Sequence, residues 1–276
     1  MKLGKLFGIL MISALLVVGL SHMILVKRQA LAVKPFAEEM GRFRAFDLEE
    51  KAISETKEKA GDKWISELTL NYLYQGMELK EAGNIDRYSM FSRLLQKGIA
   101  EEYEKYFGII LSDAICFPVP KDCTGAATVS YDNSWLGARS YGGSRTHEGC
   151  DIMPSKNEVD YFPVQSISEG TVEKIGWLEL GGYRIGIRSP AGAYYYYAHL
   201  SSYAYGLKEG DKVSAGQTIG KMGNTGYGPE GTSGKFAAHL HFGIYFNRKG
   251  EEISVNPYHV LKYIEKNRKT FTPNEE

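Results

Sequence analysis

Hydrophobic and polar positions follow three different patterns along the chain. The first is continuous: residues 6–26, LFGILMISALLVVGLSHMILV, carry no acidic or basic side chain. A run of this length is about enough to span a hydrocarbon core of ~30 Å. It exceeds the apolar core of a signal peptide, usually about 7–15 residues. The pattern predicts an uncleaved transmembrane anchor over 6–26 behind a short segment 1–5. The small pair Ala30 and Ala32 leaves a cleaved signal as the alternative. Lys2 and Lys5 precede the run while Lys27, Arg28 and Lys34 follow it, so charge counting leaves the orientation open.

The second pattern is helical. No proline occurs between Pro35 and Pro118, and Ala, Glu, Lys and Leu are frequent. Apolar positions such as Leu68, Leu70, Leu73 and Met77, then Tyr88, Phe91, Leu94, Leu95 and Ile99, recur roughly every 3.6 residues. KEAGNID (80–86) reads as a break between helices. A helical stalk or small cap is expected over 27–113.

The third pattern begins at CFPVPKDCTG, where proline, glycine and turn residues replace the helical spacing. Short runs follow, among them FPVQSISEGTVEKIGW, YRIGIRS, AYYYYAHL and AHLHFGIYF, separated by glycine turns. Most of the 31 glycines and 19 tyrosines lie after residue 120. These features predict a mainly β region over 114–262, a compact antiparallel sandwich or barrel, with a polar tail over 263–276. In Tyr194–Tyr197 alternate side chains face opposite ways, so two can line a groove; packing is the simpler expectation for all four.

Charge adds an exclusion. Lys+Arg and Asp+Glu are both 33, so the net charge is zero and nothing argues for a nucleic-acid partner. Three cysteines are too few for a disulfide scaffold; Cys116 and Cys123 bracket FPVPKD and could bridge after export, or stay free thiols.

Six histidines carry the candidate chemistry. His147 and Asp151 lie four apart in THEGCDIM, and His239 and His241 flank one residue in a strand-like run that turns both rings to one side. His199 ends another such run. His22, inside the anchor, and His259 belong to no pattern. Imidazoles with one carboxylate suit zinc better than calcium or magnesium. Catalytic zinc keeps three protein ligands and an open position. The five candidates exceed three, which leaves two histidines to support the ligands or to transfer protons. If the first motif is extended, 147, 149 and 151 share a face, Gly149 lets the loop approach the metal, and Cys150 points away. Arg139 and Arg145 flank the site in sequence and could pair with a substrate carboxylate, with solvated surface arginines the simpler reading, and Asn133 or another residue of 117–146 could cover the site as a plug.

HEGCDIM, YAHLS and HLHFGI, in this order, resemble the M23 (LytM/lysostaphin-type) zinc metallopeptidases. YGGSR, PVQSISEGTV, LKEGDKVSAGQTIGKMGNTG and VNP extend the resemblance over about residues 117–262. It implies a LytM-like fold and one zinc ion per chain, held by His147, Asp151 and His241. His239 would be the general base, His199 would orient the water or steady the oxyanion, and Tyr141 would support the oxyanion. It also implies a peptidoglycan substrate, cut in its stem peptides or cross-links, and a single-pass cell-membrane protein with residues 27–276 outside. An alternative is a non-catalytic anchored scaffold or an activator of other wall hydrolases, with a protein partner bound through 35–113. EGDKVSAGQTIGKMG also resembles the motif of lipoyl carriers, which need an exposed lysine at a hairpin tip, here Lys221, and have no use for four histidines.

Overall fold

A computed structural model describes residues 2–83, 85–139 and 143–273. Helix α1 (Lys2–Ala32) is long and apolar enough to cross a membrane. Along most of its length leucine, isoleucine and valine side chains are exposed, and only near its end do Val26 and Ala30 become buried. An apolar surface this continuous is uncommon on a water-exposed helix.

Helices α2 (Phe36–Ala45), α3 (Glu50–Ala60), α4 (Trp64–Tyr74), α5 (Ile85–Leu94) and α6 (Ile99–Leu111) form a cap packed on the β region. The joint is aromatic. Phe36 and Phe43 each lie 6.2 Å from Phe246, and Tyr106 lies 4.5 Å from it, between ring centroids. Arg44, near the end of α2, clasps the other side: its guanidinium donates to Ser254 O and Oγ and pairs with Glu148 at 2.8 Å. Apolar burial and these charge-assisted bonds fix the helices against the sheet.

The strands are β1 (Lys121–Asp122), β2 (Val129–Ser130), β3 (Ala138–Arg139), β4 (Arg145–Thr146), β5 (Cys150–Pro154), β6 (Pro163–Gln165) and β7 (Gly170–Leu178). They continue with β8 (Gly182–Arg188), β9 (Tyr194–Tyr203), β10 (Lys212–Val213), β11 (Thr218–Met222), β12 (Leu240–Arg248), β13 (Glu251–Val255) and β14 (Thr270–Phe271), with α7 (Tyr258–Ile264) before the last. Ten of them form one mostly antiparallel sheet with the path β10-β7-β8-β9-β12-β5-β2; β11 and β6 branch from β9, and β13 from β12. The path does not close, so the architecture is an open, branched sheet and not a barrel. Beyond residue 263, β14 pairs in parallel with β1, and Phe271 packs 5.5 Å from Phe162. Lys221 lies within β11, paired on both sides, which is not a carrier's hairpin tip. Cys116 and Cys123 are free thiols, one buried and one exposed.

Alternation in β9 and β12 separates core from site. Tyr195, Tyr197, Leu240, Phe242, Ile244 and Phe246 are fully buried. The Tyr197 hydroxyl accepts the buried Ile167 N–H at 2.9 Å, and the Tyr195 hydroxyl donates to Ile110 O in α6. Tyr194, Tyr196, His241 and Tyr245 face the other way and line a cleft of about 1010 Å³. Two of the four consecutive tyrosines therefore pack and two line a groove.

Candidate metal centre

Strand pairing sets the first three residues. His241 on β12 stands opposite Asp151 on β5, and the loop before β5 brings in His147. His147 Nε2, His241 Nδ1 and Asp151 Oδ1 lie 3.0 Å from one another. Gly149 makes this approach possible: a Cβ there would sit 2.3 Å from His241 Cε1 and 2.9 Å from Phe242 O.

Hydrogen bonding identifies the lone pairs. His147 Nδ1 lies 3.2 Å from Ser134 O and 3.0 Å from Ser134 Oγ. A carbonyl can only accept, so Nδ1 carries the proton and Nε2 presents its lone pair. An unprotonated imidazole nitrogen and a carboxylate oxygen thus converge with His241 Nδ1, a crowding of acceptors that a cation at their centre would relieve. Zinc bonds of about 2.0–2.1 Å place tetrahedral ligands ~3.3 Å apart, close to the edges of this triangle. The donor set fits zinc.

Burial would raise the Asp151 carboxyl, but the close imidazoles of His147 and His241 hold it well below the usual carboxylate range. Burial lowers His241, with Asp151 opposing. The other Asp151 oxygen pairs with Arg139 from the β3–β4 hairpin. Arg145 donates to the Tyr227 hydroxyl at 3.1 Å. Neither arginine is simply solvated, as the sequence suggested; the hairpin folds both back over the cleft. Cys150 points into the core, where burial pushes its thiol up to about 12. Asn133 accepts a bond from Asn256 Nδ2 and does not line the cleft, so it is no plug. Tyr141 lies outside the described residues.

His239 and His199 complete the cluster, 4.7 Å apart between ring centroids. His239 Nδ1 lies 2.8 Å from Ala237 O, and His199 Nδ1 lies 2.8 Å from Thr225 O. Each Nδ1 must donate, which leaves both Nε2 atoms as acceptors in the neutral rings. His239 Nε2 lies 3.8 Å from Asp151 Oδ1, beside the triangle. Burial is the main cause lowering both rings, His199 well below its ordinary value.

His199 reaches the cleft through an irregularity. Tyr197 pairs with Ile185 and Leu200 with Tyr183, so two residues of β9 oppose the single Arg184 of β8. His199 occupies this bulge with φ 61°, left-handed and uncommon for a residue with a side chain. Simple alternation would send it into the core with Tyr195 and Tyr197; the bulge re-aims it.

A model of peptidase family M23 matches residues 145–257. A solved Ruminococcus gnavus protein, named for the glycyl-glycine endopeptidase LytM, is 39% identical, with a TM-score of 0.73 over 84% of this chain and 94% of that one. The chain belongs to peptidase family M23. Among M23 relatives, the L-Ala–D-Glu endopeptidase of Bacillus subtilis is 42% identical over 172 residues, covering 61% of this chain and 50% of the relative. Lysostaphin of Staphylococcus simulans is 38% identical over 111 residues, covering 38% of this chain and 21% of the relative. This chain thus spans half the length of the Bacillus M23 relative and a smaller part of lysostaphin.

Proposed function

We propose that this chain is a zinc-dependent endopeptidase that hydrolyses peptide bonds of peptidoglycan at the outer face of a membrane, held there by α1. The observation that carries this reading is the triangle of His147, Asp151 and His241 beside two histidines whose Nδ1 atoms are tied to carbonyls. His147 Nε2, Asp151 Oδ1 and His241 Nδ1 would hold the ion. Zinc, when bound, supplies Lewis acidity toward a peptide carbonyl and brings the pKa of water to about 7.

This chain's own residues do the rest. His239 Nε2, neutral through burial, takes the proton from the attacking water and delivers it to the leaving amine. His199 Nε2, an acceptor in the neutral ring, lies beside it to orient that water. Tyr141 has a supporting role at the carbonyl oxygen as negative charge develops. The long cleft beside the histidines accommodates an extended peptide, with Tyr194, Tyr196 and Tyr245 along its floor.

The test is incubation of the full chain with purified peptidoglycan, with and without a chelator, followed by mass analysis of released material. Fragments with new peptide termini, lost with the chelator and restored by zinc, are expected. Absence of fragments from a zinc-loaded chain sinks the reading.

A further inference from the structure

Arg184 is a cation in the cleft that the chemistry above does not use. Three of the cleft's carboxylates are compensated: Asp151 by Arg139, Glu148 by Arg44, and Glu252 by Arg188. Arg145 rests against Tyr227. Arg184 on β8 lines the same cleft but, among the described residues, forms no ion pair, not even with neighbouring Glu179. Its Nη1 is sealed from solvent with no hydrogen-bond acceptor. Buried guanidinium groups are ordinarily paired, because an uncompensated charge is costly to desolvate.

Only that nitrogen is sealed: Arg184 as a whole is half-buried and lines the cleft. Tyr194 and Tyr196 lie across β8 on either side of Arg184. Their hydroxyls rest 1.8 and 2.2 Å from where a Cβ would stand on Gly186 and Gly181. Two side-chain-free positions, on either side of Arg184 along the chain, thus make room for these hydroxyls. Arg184 also stands opposite the bulge that holds His199. From β8 to β12, which carries His241, is two strand spacings, about 10 Å. That is about three residues of extended peptide.

We propose that Arg184, flanked by Tyr194 and Tyr196, is a subsite for a free carboxylate on the peptide substrate, within about three residues of the cleaved bond. This rests on the hydrolase reading and narrows it. The substrate is an acidic stem peptide and not a glycine bridge, whose residues carry no side-chain charge. A guanidinium matches a carboxylate with two parallel N–H···O bonds. A site built around such a pair rejects an analogue that leaves the arginine unpaired.

The experiment measures binding without turnover, in the full chain in detergent micelles after metal removal. The probes are a fluorescently labelled peptide containing L-Ala–D-Glu with free carboxylates and the same peptide with carboxamides. The expected result is about tenfold tighter binding of the acid by the unaltered chain. Arg184→Gln should bind both peptides equally, and Arg184→Lys should regain part of the preference. Equal binding of acid and amide by the unaltered chain overturns the proposal without any variant having to fold. Full preference in Arg184→Gln overturns it too. The peptidoglycan digestion scores the hydrolase reading separately: no cleavage together with a retained acid preference sinks that reading and leaves the subsite standing.

Discussion

Replacing Gly149 with alanine adds one methyl group at the most crowded point of the site. The new Cβ would lie 2.3 Å from His241 Cε1, 2.6 Å from Nε2 and 2.9 Å from Phe242 O, where ordinary contact begins near 3.4 Å. The imidazole must therefore retreat by about 1 Å, or the β5–β12 pairing must open. Retreat is obstructed, because Tyr196 meets the ring edge-on at 5.9 Å and His147 lies 4.9 Å away between centroids. Overpacking of this kind costs about 1–3 kcal/mol. Because His241 Nδ1 lies only 3.0 Å from its two partners, such a shift distorts the whole triangle. Disturbing the support of a metal ligand typically lowers affinity about 10- to 100-fold. Competition against a zinc-binding dye should show that loss in Gly149→Ala. Denaturant titration of the metal-free chain should show the stability cost. Unchanged zinc affinity with unchanged stability would refute the claim that Gly149 is there to admit the His241 ring.

Other outcomes follow from the same geometry. Tyr197→Phe leaves the Ile167 N–H buried without its acceptor, so stability should fall by about 1–3 kcal/mol while zinc affinity is retained; a loss of zinc affinity at unchanged stability would contradict the division of the tyrosines into core and cleft. Burial holds His199, and to a lesser degree His259, below the ordinary value of 6.5. These rings are neutral when folded and protonated when unfolded, so the unfolded chain binds more protons and stability falls as pH drops below that value. The slope is at most ~1.4 kcal/mol per pH unit for each ring. Denaturation midpoints of the metal-free chain that do not fall between about pH 7.5 and 5.5 would show that these rings are not held neutral.

The site was legible in the sequence where chemistry follows from local spacing. One intervening residue between His239 and His241 on a strand, and the glycine ahead of Asp151, carry their geometry in a few positions. His199 was legible as a residue type but not as a position, because its place depends on a bulge that period-two alternation cannot show. Arg139 escaped for another reason: its ion pair with Asp151 depends on how the β3–β4 hairpin folds back, which nothing in ARSYGGSRT encodes locally. The helical spacing predicts a stalk or cap. Docking of the helices through Phe36, Phe43, Arg44 and Tyr106 joins residues some 140 to 210 positions apart in sequence. The open, branched sheet was likewise beyond reach, since β12 shares one edge between β5 and β13 and short strands alone do not reveal such partnerships.

The central claim is a division of labour: His147, Asp151 and His241 hold the metal, while His239 moves the proton. The most direct measurement takes zinc content and peptidoglycan cleavage together in two variants of the full chain. His239→Ala should retain one zinc per chain and lose cleavage by about 10²- to 10⁴-fold, whereas His241→Ala should lose both. Cleavage at the unaltered rate by His239→Ala, or full zinc retention by His241→Ala, would contradict the account.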